Sequence, residues 1–172
     1  VALQDITARK KAEEYLRYLG THDVMTGLYN RAYYEEEMKR LGGGRQYPVS
    51  IIIADMDGLK EVNDQFGHQA GDKLIRRAAE VLKAGFRKED MIARIGGDEF
   101  AVIMPGTDNS VATDAMERVQ TLVELNNKYY GEPTLSISLG VSTGETGSDL
   151  EAIMRAADDD MYREKRVHHQ GQ

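Results

Sequence analysis

The sequence predicts an α/β sandwich of the α+β kind: a mixed, mostly antiparallel sheet flanked by helices, with a β-hairpin at its centre. Three observations predict it. Two short apolar runs, Met91–Ile95 and Phe100–Met104, flank the pair Gly96-Gly97, the local pattern of a hairpin whose turn is expected to need positive φ. The run Val49–Ala54 has the length and branched content of a buried strand. Around these strands lie segments whose apolar residues recur at helical spacing.

At 172 residues the chain is long enough for one domain with a real core and a short extension. It contains no cysteine, which excludes disulfides, zinc–thiolate sites and a thiol nucleophile and permits a reducing cytoplasm. No run reaches the length of a membrane span and no signal peptide is visible. A cytoplasmic domain without membrane contact of its own is expected, any anchor lying upstream, since Val1 implies a chain cut from something longer. The net charge of −7 argues against a nucleic-acid-binding surface, so a phosphate-bearing substrate requires local cations.

Taken in order, residues 1–20 are separate in character and are expected to form an N-terminal linker helix, with residues 21–172 as the main domain. Ala12, Leu16 and Leu19 share a narrow stripe, with Leu3 and Ile6 leading in, which fits either a coiled-coil-like seam or a tail helix packed on its own domain. Thr21–Arg31 leads into a capped helix with Tyr34, Met38 and Leu41 on one face, ended by Gly42-Gly43-Gly44; His22 beside its start is read as structural. After the first strand come the acids of Asp55-Met56-Asp57, then Gly58-Leu59-Lys60, where the Lys60 ammonium is placed to meet phosphate as a point charge. Asn63 and Asp72 flank a Gly-rich turn, either as partners for a purine edge or as helix caps, and the next helix buries Leu74, Ile75, Ala78, Ala79 and Leu82. Arg87–Asp90 reads as an exposed charged loop. A helix over Asn109–Asn127 is expected to bury Val111, Ala115, Val119, Leu122 and Val123, and Leu135–Val141 alternates as a half-exposed strand. The last helix, from Asp149, turns Leu150, Ile153, Met154, Ala157 and Met161 inward, with Lys165 one turn beyond.

If the hairpin pairs beside the first strand, Asp55 and Asp98 converge at one edge of the sheet. Hard oxygen ligands so placed suit Mg²⁺, which one or two carboxylates hold together with substrate phosphates.

Four motifs now stand in one order: Asp23–Arg31, Asp55–Asp64, Phe66–Asp72 and the Gly96–Phe100 hairpin. Over roughly residues 21–166 the chain resembles the GGDEF domain, the diguanylate cyclase family, whose fold is similar to the nucleotidyl-cyclase and polymerase palm. The resemblance implies condensation of two GTP molecules into cyclic di-GMP with release of two pyrophosphates, each domain of a two-fold homodimer holding one GTP. It implies Mg²⁺ (or Mn²⁺) as cofactor, with Asp55, the Met56 carbonyl, Asp98 and Glu99 around the metal. Asp98 or Glu99 takes the proton of the attacking hydroxyl, the two alternatives staying open. It gives Lys60 and Lys165 phosphate contacts, Gly58 and Leu59 backbone amides at the β/γ-phosphates, and Asn63 and Asp72 the guanine edge. Arg87 and Asp90 match the family's RxxD product-inhibition site, with Arg118 as its secondary arginine. The stretch Asp5–Glu13 resembles the end of a PAS sensor domain, implying an upstream sensor as partner. The chain departs from the family where Gly-Arg-Asn commonly follows the last lysine: it has Arg166-Val167-His168-His169, so an expected phosphate-binding arginine is missing at His169. That departure motivates an alternative, a catalytically weak receptor for cyclic di-GMP or GTP. A cyclase-like domain using ATP is a further alternative, against which Asp72 argues.

Overall fold

Strand β1 (Val49–Met56) is buried along all eight residues, because helices cover both faces of the sheet it runs through. The computed structural model describes residues 2–145 and 147–171. Around β1 lie α1 (Ala2–Thr21), α2 (Arg31–Gly42), α3 (Leu59–Phe66), α4 (His68–Gly85), β2 (Met91–Arg94), β3 (Glu99–Met104), α5 (Asn109–Tyr130), β4 (Ile137–Gly144) and α6 (Leu150–Gln170). The sheet has the order β2-β3-β1-β4 and every ladder in it is antiparallel. Its parallel component is confined to an isolated bridge between Tyr29 and Ala93.

Alternation along the strands divides the core into two layers. Ile52, Ala54 and Met56 of β1 and Phe100, Val102 and Met104 of β3 pack with α4 and α5. Ile51 and Ile53 with Ala101 and Ile103 form the opposite layer with Tyr34 and Leu41 of α2 and with Ile153, Ala157 and Met161 of α6. An antiparallel strand can read as an unbroken apolar run, as β1 does, when both of its faces are roofed by helices. On α5 the buried stripe is Ala112, Ala115, Val119 and Val123; Val111, expected inside, is 45% exposed, and Leu122 is partly buried. Asp108 caps the helix by accepting from the Val111 amide.

One helix is expected between β1 and the hairpin, after a Gly-rich turn; the structure has a second, short one, α3, before it. Gly67, at φ 90°, separates α3 from α4 in a conformation that a side chain would strain. Neither Asn63 nor Asp72 caps a helix, since the N-cap positions are Gly58 and Gly67.

No residue of α1 is buried. Leu3, Ile6, Tyr15 and Leu16 are each more than half exposed. Its C-terminal end is nevertheless fastened. Tyr18, His22, Tyr29 and Tyr33 stack in sequence with ring centroids 4.2, 4.7 and 4.1 Å apart, and Asn30 donates to the Gly20 carbonyl while capping α2. His22 has the structural role read from the sequence.

Helix α6 crosses β4 so closely that a Cβ on Gly140 would overlap the Ala157 carbonyl and the Met161 amide, backbone atoms that cannot turn aside. Gly140→Ala is therefore expected to destabilise the domain by ~3 kcal/mol, the upper range for overpacking. A lowered urea midpoint with an unchanged m-value measures it.

Candidate active site

The register of β1 with β3 places Asp55 directly opposite Glu99, and the Met56 amide donates to the Asp98 carbonyl at 3.0 Å. Residues opposite one another in an antiparallel pair project to the same face. Asp55 and Glu99 thus share the face that carries Ile51, Ile53 and Ala101, under α2 and α6. Three acids, Asp55, Asp98 and Glu99, meet at the end of the sheet, as the pairing argument from the sequence requires.

Two arginines hold the hairpin tip. Arg94 donates to the Gly97 carbonyl through Nη2 at 2.7 Å and through Nε at 3.2 Å, and its Nη1 reaches Asp23 at 3.3 Å. Arg31, at the start of α2, donates to the Ile95 carbonyl at 3.1 Å. The tip is thereby tied to the loop before α2. The expectation of positive φ at Gly96-Gly97 is corrected: neither glycine lies in the left-handed region. A Cβ on Gly96 would come into van der Waals contact with Glu99 at 3.4 Å.

Crowding of like charges shows in the carboxylates. Burial first, then the charge of Asp98, pushes the Asp55 carboxyl above its ordinary range, while a hydrogen bond from Lys165 pulls it back. Glu99 is raised by burial, then by Asp158 of α6, Asp55 and Asp98, with Arg31 opposing. Asp158 was not singled out from the sequence; its position on the inner face of α6 becomes visible only when α6 is laid across the sheet.

The cation that balances this cluster is Lys165. Its Nζ lies 3.1 Å from Asp55 Oδ2, 3.1 Å from the Met56 carbonyl and 4.0 Å from Asp57 Oδ1. The other oxygen of Asp55, Oδ1, is buried without a partner. A hard divalent ion fits this donor set: an orphaned carboxylate oxygen, a backbone carbonyl and neighbouring acids, with a lone ammonium already drawn to the same oxygens. Among the described residues no three carboxylates or imidazoles close around one point, so a bound ion would take its remaining ligands from substrate and water.

Asp57 does other work. It accepts from Ser136 at Oδ2 and from Ser138 at Oδ1, both at 2.7 Å, and His168 Nδ1 lies 2.8 Å from Oδ2 and 2.9 Å from Ser138 Oγ. A carboxylate can only accept and the Ser138 proton already goes to Asp57, so Nδ1 carries a hydrogen. His168 Nε2 faces Glu164 at 3.6 Å, and Gln120 donates to Glu164 at 3.4 Å. This network escaped the sequence reading, in which His168 appeared only as part of a departure. The hint was its spacing, one helical turn beyond Lys165.

Beside the acids, α3 starts at Leu59 with Gly58 as an N-cap that offers no side chain, so amides of its first turn are left for an anion. Lys60 is exposed there. Asn63 lies against α4 in space that a Cβ on Gly71 would overlap, one residue from Asp72, so the two expected guanine readers are brought together across the Gly67 break.

Arg87, Asp90 and Arg118 gather at the other end of the sheet, about 17 Å away along β3 at ~3.4 Å per residue. The buried Asp90 carboxylate accepts the Arg87 amide at 2.9 Å and faces its guanidinium at 3.4 Å; the same guanidinium donates to Thr107 at 2.9 Å. Arg118 donates to the Gly85 carbonyl at 2.8 Å. Arg87, Arg118, Phe86 and Val111 line a cavity of about 380 Å³. Asp90 is not the exposed loop residue its composition indicated: it is 7% exposed and closes the turn.

The raised Glu99 predicts a gain on neutralisation. Above its elevated native pKa, folding holds a charge that the unfolded chain solvates more easily; as pH falls through that pKa the native state takes up a proton and the penalty fades. Glu99→Gln is expected to raise stability at neutral pH by on the order of 0.5–1 kcal/mol, allowing for solvent screening of a half-buried group. The gain should vanish toward the ordinary glutamate range, which urea titrations at several pH values measure.

Comparison with known proteins agrees with this geometry. A family model described as diguanylate cyclase, GGDEF domain, matches residues 20–170. Diguanylate cyclase DgcM of Escherichia coli K12 is 32% identical over 168 residues, covering 95% of this chain and 40% of that protein. The uncharacterized protein YtrP of Bacillus subtilis is 37% identical over 153 residues, covering 88% and 26%. The chain thus spans well under half the length of these relatives. Among solved structures, the coiled coil and GGDEF domain of DgcB from Caulobacter crescentus, in complex with c-di-GMP, superposes with a TM-score of 0.85 at 26% identity, covering 96% of this chain and 91% of that one. A microbial GGDEF domain described in a novel interaction mode with cyclic di-GMP gives 0.75 at 32%, covering 88% and 94%. The four-stranded antiparallel sheet flanked by helices, the acids at its hairpin end and a match over nearly the whole chain place it in the GGDEF family of diguanylate cyclase domains.

Proposed function

We propose that the chain condenses two GTP molecules into cyclic di-GMP and two pyrophosphates, one GTP on each of two facing copies. The observation that carries the reading is the donor set at the end of β1: Asp55 with one buried oxygen unpartnered and the other, with the Met56 carbonyl, 3.1 Å from Lys165. Asp55, the Met56 carbonyl, Asp98 and Glu99 would hold Mg²⁺. When bound, the ion lowers the pKa of the attacking 3′-hydroxyl and neutralises charge on the α-phosphate. Glu99, already raised, and Asp98 beside it are the chain's proton acceptors for that hydroxyl. Lys60, the amides of Gly58 and Leu59, and Lys165 bind the phosphates. Asp72 accepts from guanine N1–H and the N2 amino group, a pair adenine does not offer, and Asn63 completes that edge.

Two copies fit through α1, whose exposed Leu3, Ile6, Leu16 and Leu19 present an apolar stripe to a second α1. In this reading residues 1–20 link an upstream sensor of PAS type to the catalytic unit of residues 21–172, which works in the cytoplasm where GTP is supplied. No helix among the described residues is long and apolar enough to cross a membrane. Arg87 and Arg118 line the product site that limits turnover, and the buried Asp90 holds the Arg87 guanidinium there.

Incubating the domain with GTP and Mg²⁺ is expected to yield cyclic di-GMP identified by mass, with at least a hundredfold loss in Asp98→Ala, about the worth of one transition-state electrostatic contact. Equal activity in the two proteins would overturn the assignment, and tight product binding without turnover would favour a receptor. Arg87→Ala is expected to leave initial turnover within about twofold and to weaken inhibition by added cyclic di-GMP at least tenfold, the loss of one charge-assisted fork. Progress curves with and without product measure it.

A further inference from the structure

We propose that His168 is a positioning residue for the phosphate end of the site: through Nδ1–H it saturates Asp57 and so keeps the Lys165 ammonium on the Asp55–Met56 side, where a triphosphate is met. The phosphate part rests on the function proposed above.

Lys165 has three acceptors within 4 Å, and they compete for one ammonium. Asp55 Oδ2 and the Met56 carbonyl stand at 3.1 Å, Asp57 Oδ1 at 4.0 Å. A carboxylate one residue beyond that carbonyl would ordinarily be as strong a draw as Asp55. It is not, because three other donors already serve it: Ser136, Ser138 and His168, at 2.7, 2.7 and 2.8 Å. The serines belong to β4 and its approach, and they bond the loop after β1 whatever α6 does. His168 is the donor that comes from the same helix as the lysine. Three residues apart on α6, the two side chains lie one above the other, so the helix that delivers the ammonium also delivers the group that stops it straying to Asp57.

The arrangement depends on α6 running on through Gln170, since a helix ending just past Lys165 would carry no side chain to Asp57. It also depends on the tautomer. Nδ1 faces only acceptors, Asp57 Oδ2 and a Ser138 hydroxyl whose proton is already given away, so Nδ1 must hold hydrogen. Gln120 and His168 both face Glu164, which fixes the other end of the ring. Cutting His168 back removes one short donor from Asp57 and leaves Lys165 as the nearest cation able to replace it. The ammonium is then divided between Asp57 and the phosphate side, and substrate binding weakens with little change in the chemical step.

The test compares His168→Ala, His168→Asn and His168→Gln in the full chain. Asn places an amide N–H near the position of Nδ1; Gln places it near Nε2. Expected are a rise of about tenfold in KM for GTP in His168→Ala, the scale of one charge-assisted hydrogen bond, and a kcat within about threefold of wild type. His168→Asn should restore KM and His168→Gln should not. Calorimetry of GTP with Ca²⁺ in place of Mg²⁺ should show the same order of affinities, and ¹⁵N spectra of the nucleotide-free protein should show Nδ1 protonated. An unchanged KM and affinity in a folded His168→Ala, equal behaviour of the Asn and Gln variants, or a bare Nδ1 would each overturn the assignment. Should His168→Ala fail to fold, the Asn–Gln contrast decides. If wild type turns over no GTP, the cyclase reading fails, while the tautomer and the GTP affinities still decide the role of His168.

Discussion

The antiparallel pairing of β1 with β3 is the constraint on which the rest of the structure depends. Once Ile51, Ile52 and Ile53 are opposite Ile103, Val102 and Ala101, the ladder has no freedom at its end: Asp55 must oppose Glu99, and the Met56 amide must meet the Asp98 carbonyl. A slip of one residue would carry every apolar side chain of β1 to the other layer, so the packing of both core layers holds the acids together. Their repulsion and desolvation, visible in the raised Asp55 and Glu99, are sustained by hydrophobic burial on either side of the strand. Stability is spent to keep these carboxylates together at the strand end.

Helix α6 supplies the other half of the site. It lies across β4 at a distance only Gly140 allows, bonds the edge amide of Val141 through Asp160, and brings Asp158, Lys165 and His168 to the same end of the sheet. One helix thus adds both a carboxylate that strengthens the negative field and the ammonium that offsets it. The two positions differ in what surrounds them: Lys165 reaches the acids at the strand end, whereas His168 turns to Asp57, already fastened to β4 by two serines.

Much of the fold was legible because hydrophobic periodicity reports burial directly. The isoleucine run of β1, the hairpin runs and the stripes of α4 and α6 appear where the pattern put them. The errors fall where packing or local chemistry outweighed the pattern. Packing on the sheet chose Ala112, Ala115, Val119 and Val123 and left Val111 outside; the segment before Gly67, read as leading into a turn, formed α3; and the hairpin turned without left-handed glycines, with arginine side chains on its carbonyls. Asp90 read as a solvated loop acid, yet its carboxylate closes the turn it sits in, a bond composition does not reveal.

The sequence by itself determined all four strands, most of the helices and the family, and named the pairing on which the approach of Asp55 to the hairpin acids depends. Those follow from local periodicity and from motifs whose residues are neighbours in the chain. Only the tertiary structure decided that Lys165 sits between Asp55 and the Met56 carbonyl, that Asp57 belongs to Ser136, Ser138 and His168, and that Asp158 faces Glu99. Each of these joins residues tens of positions apart, through the angle and distance at which α6 crosses the sheet. Backbone packing at Gly140 sets that crossing, and a one-dimensional pattern carries no record of it.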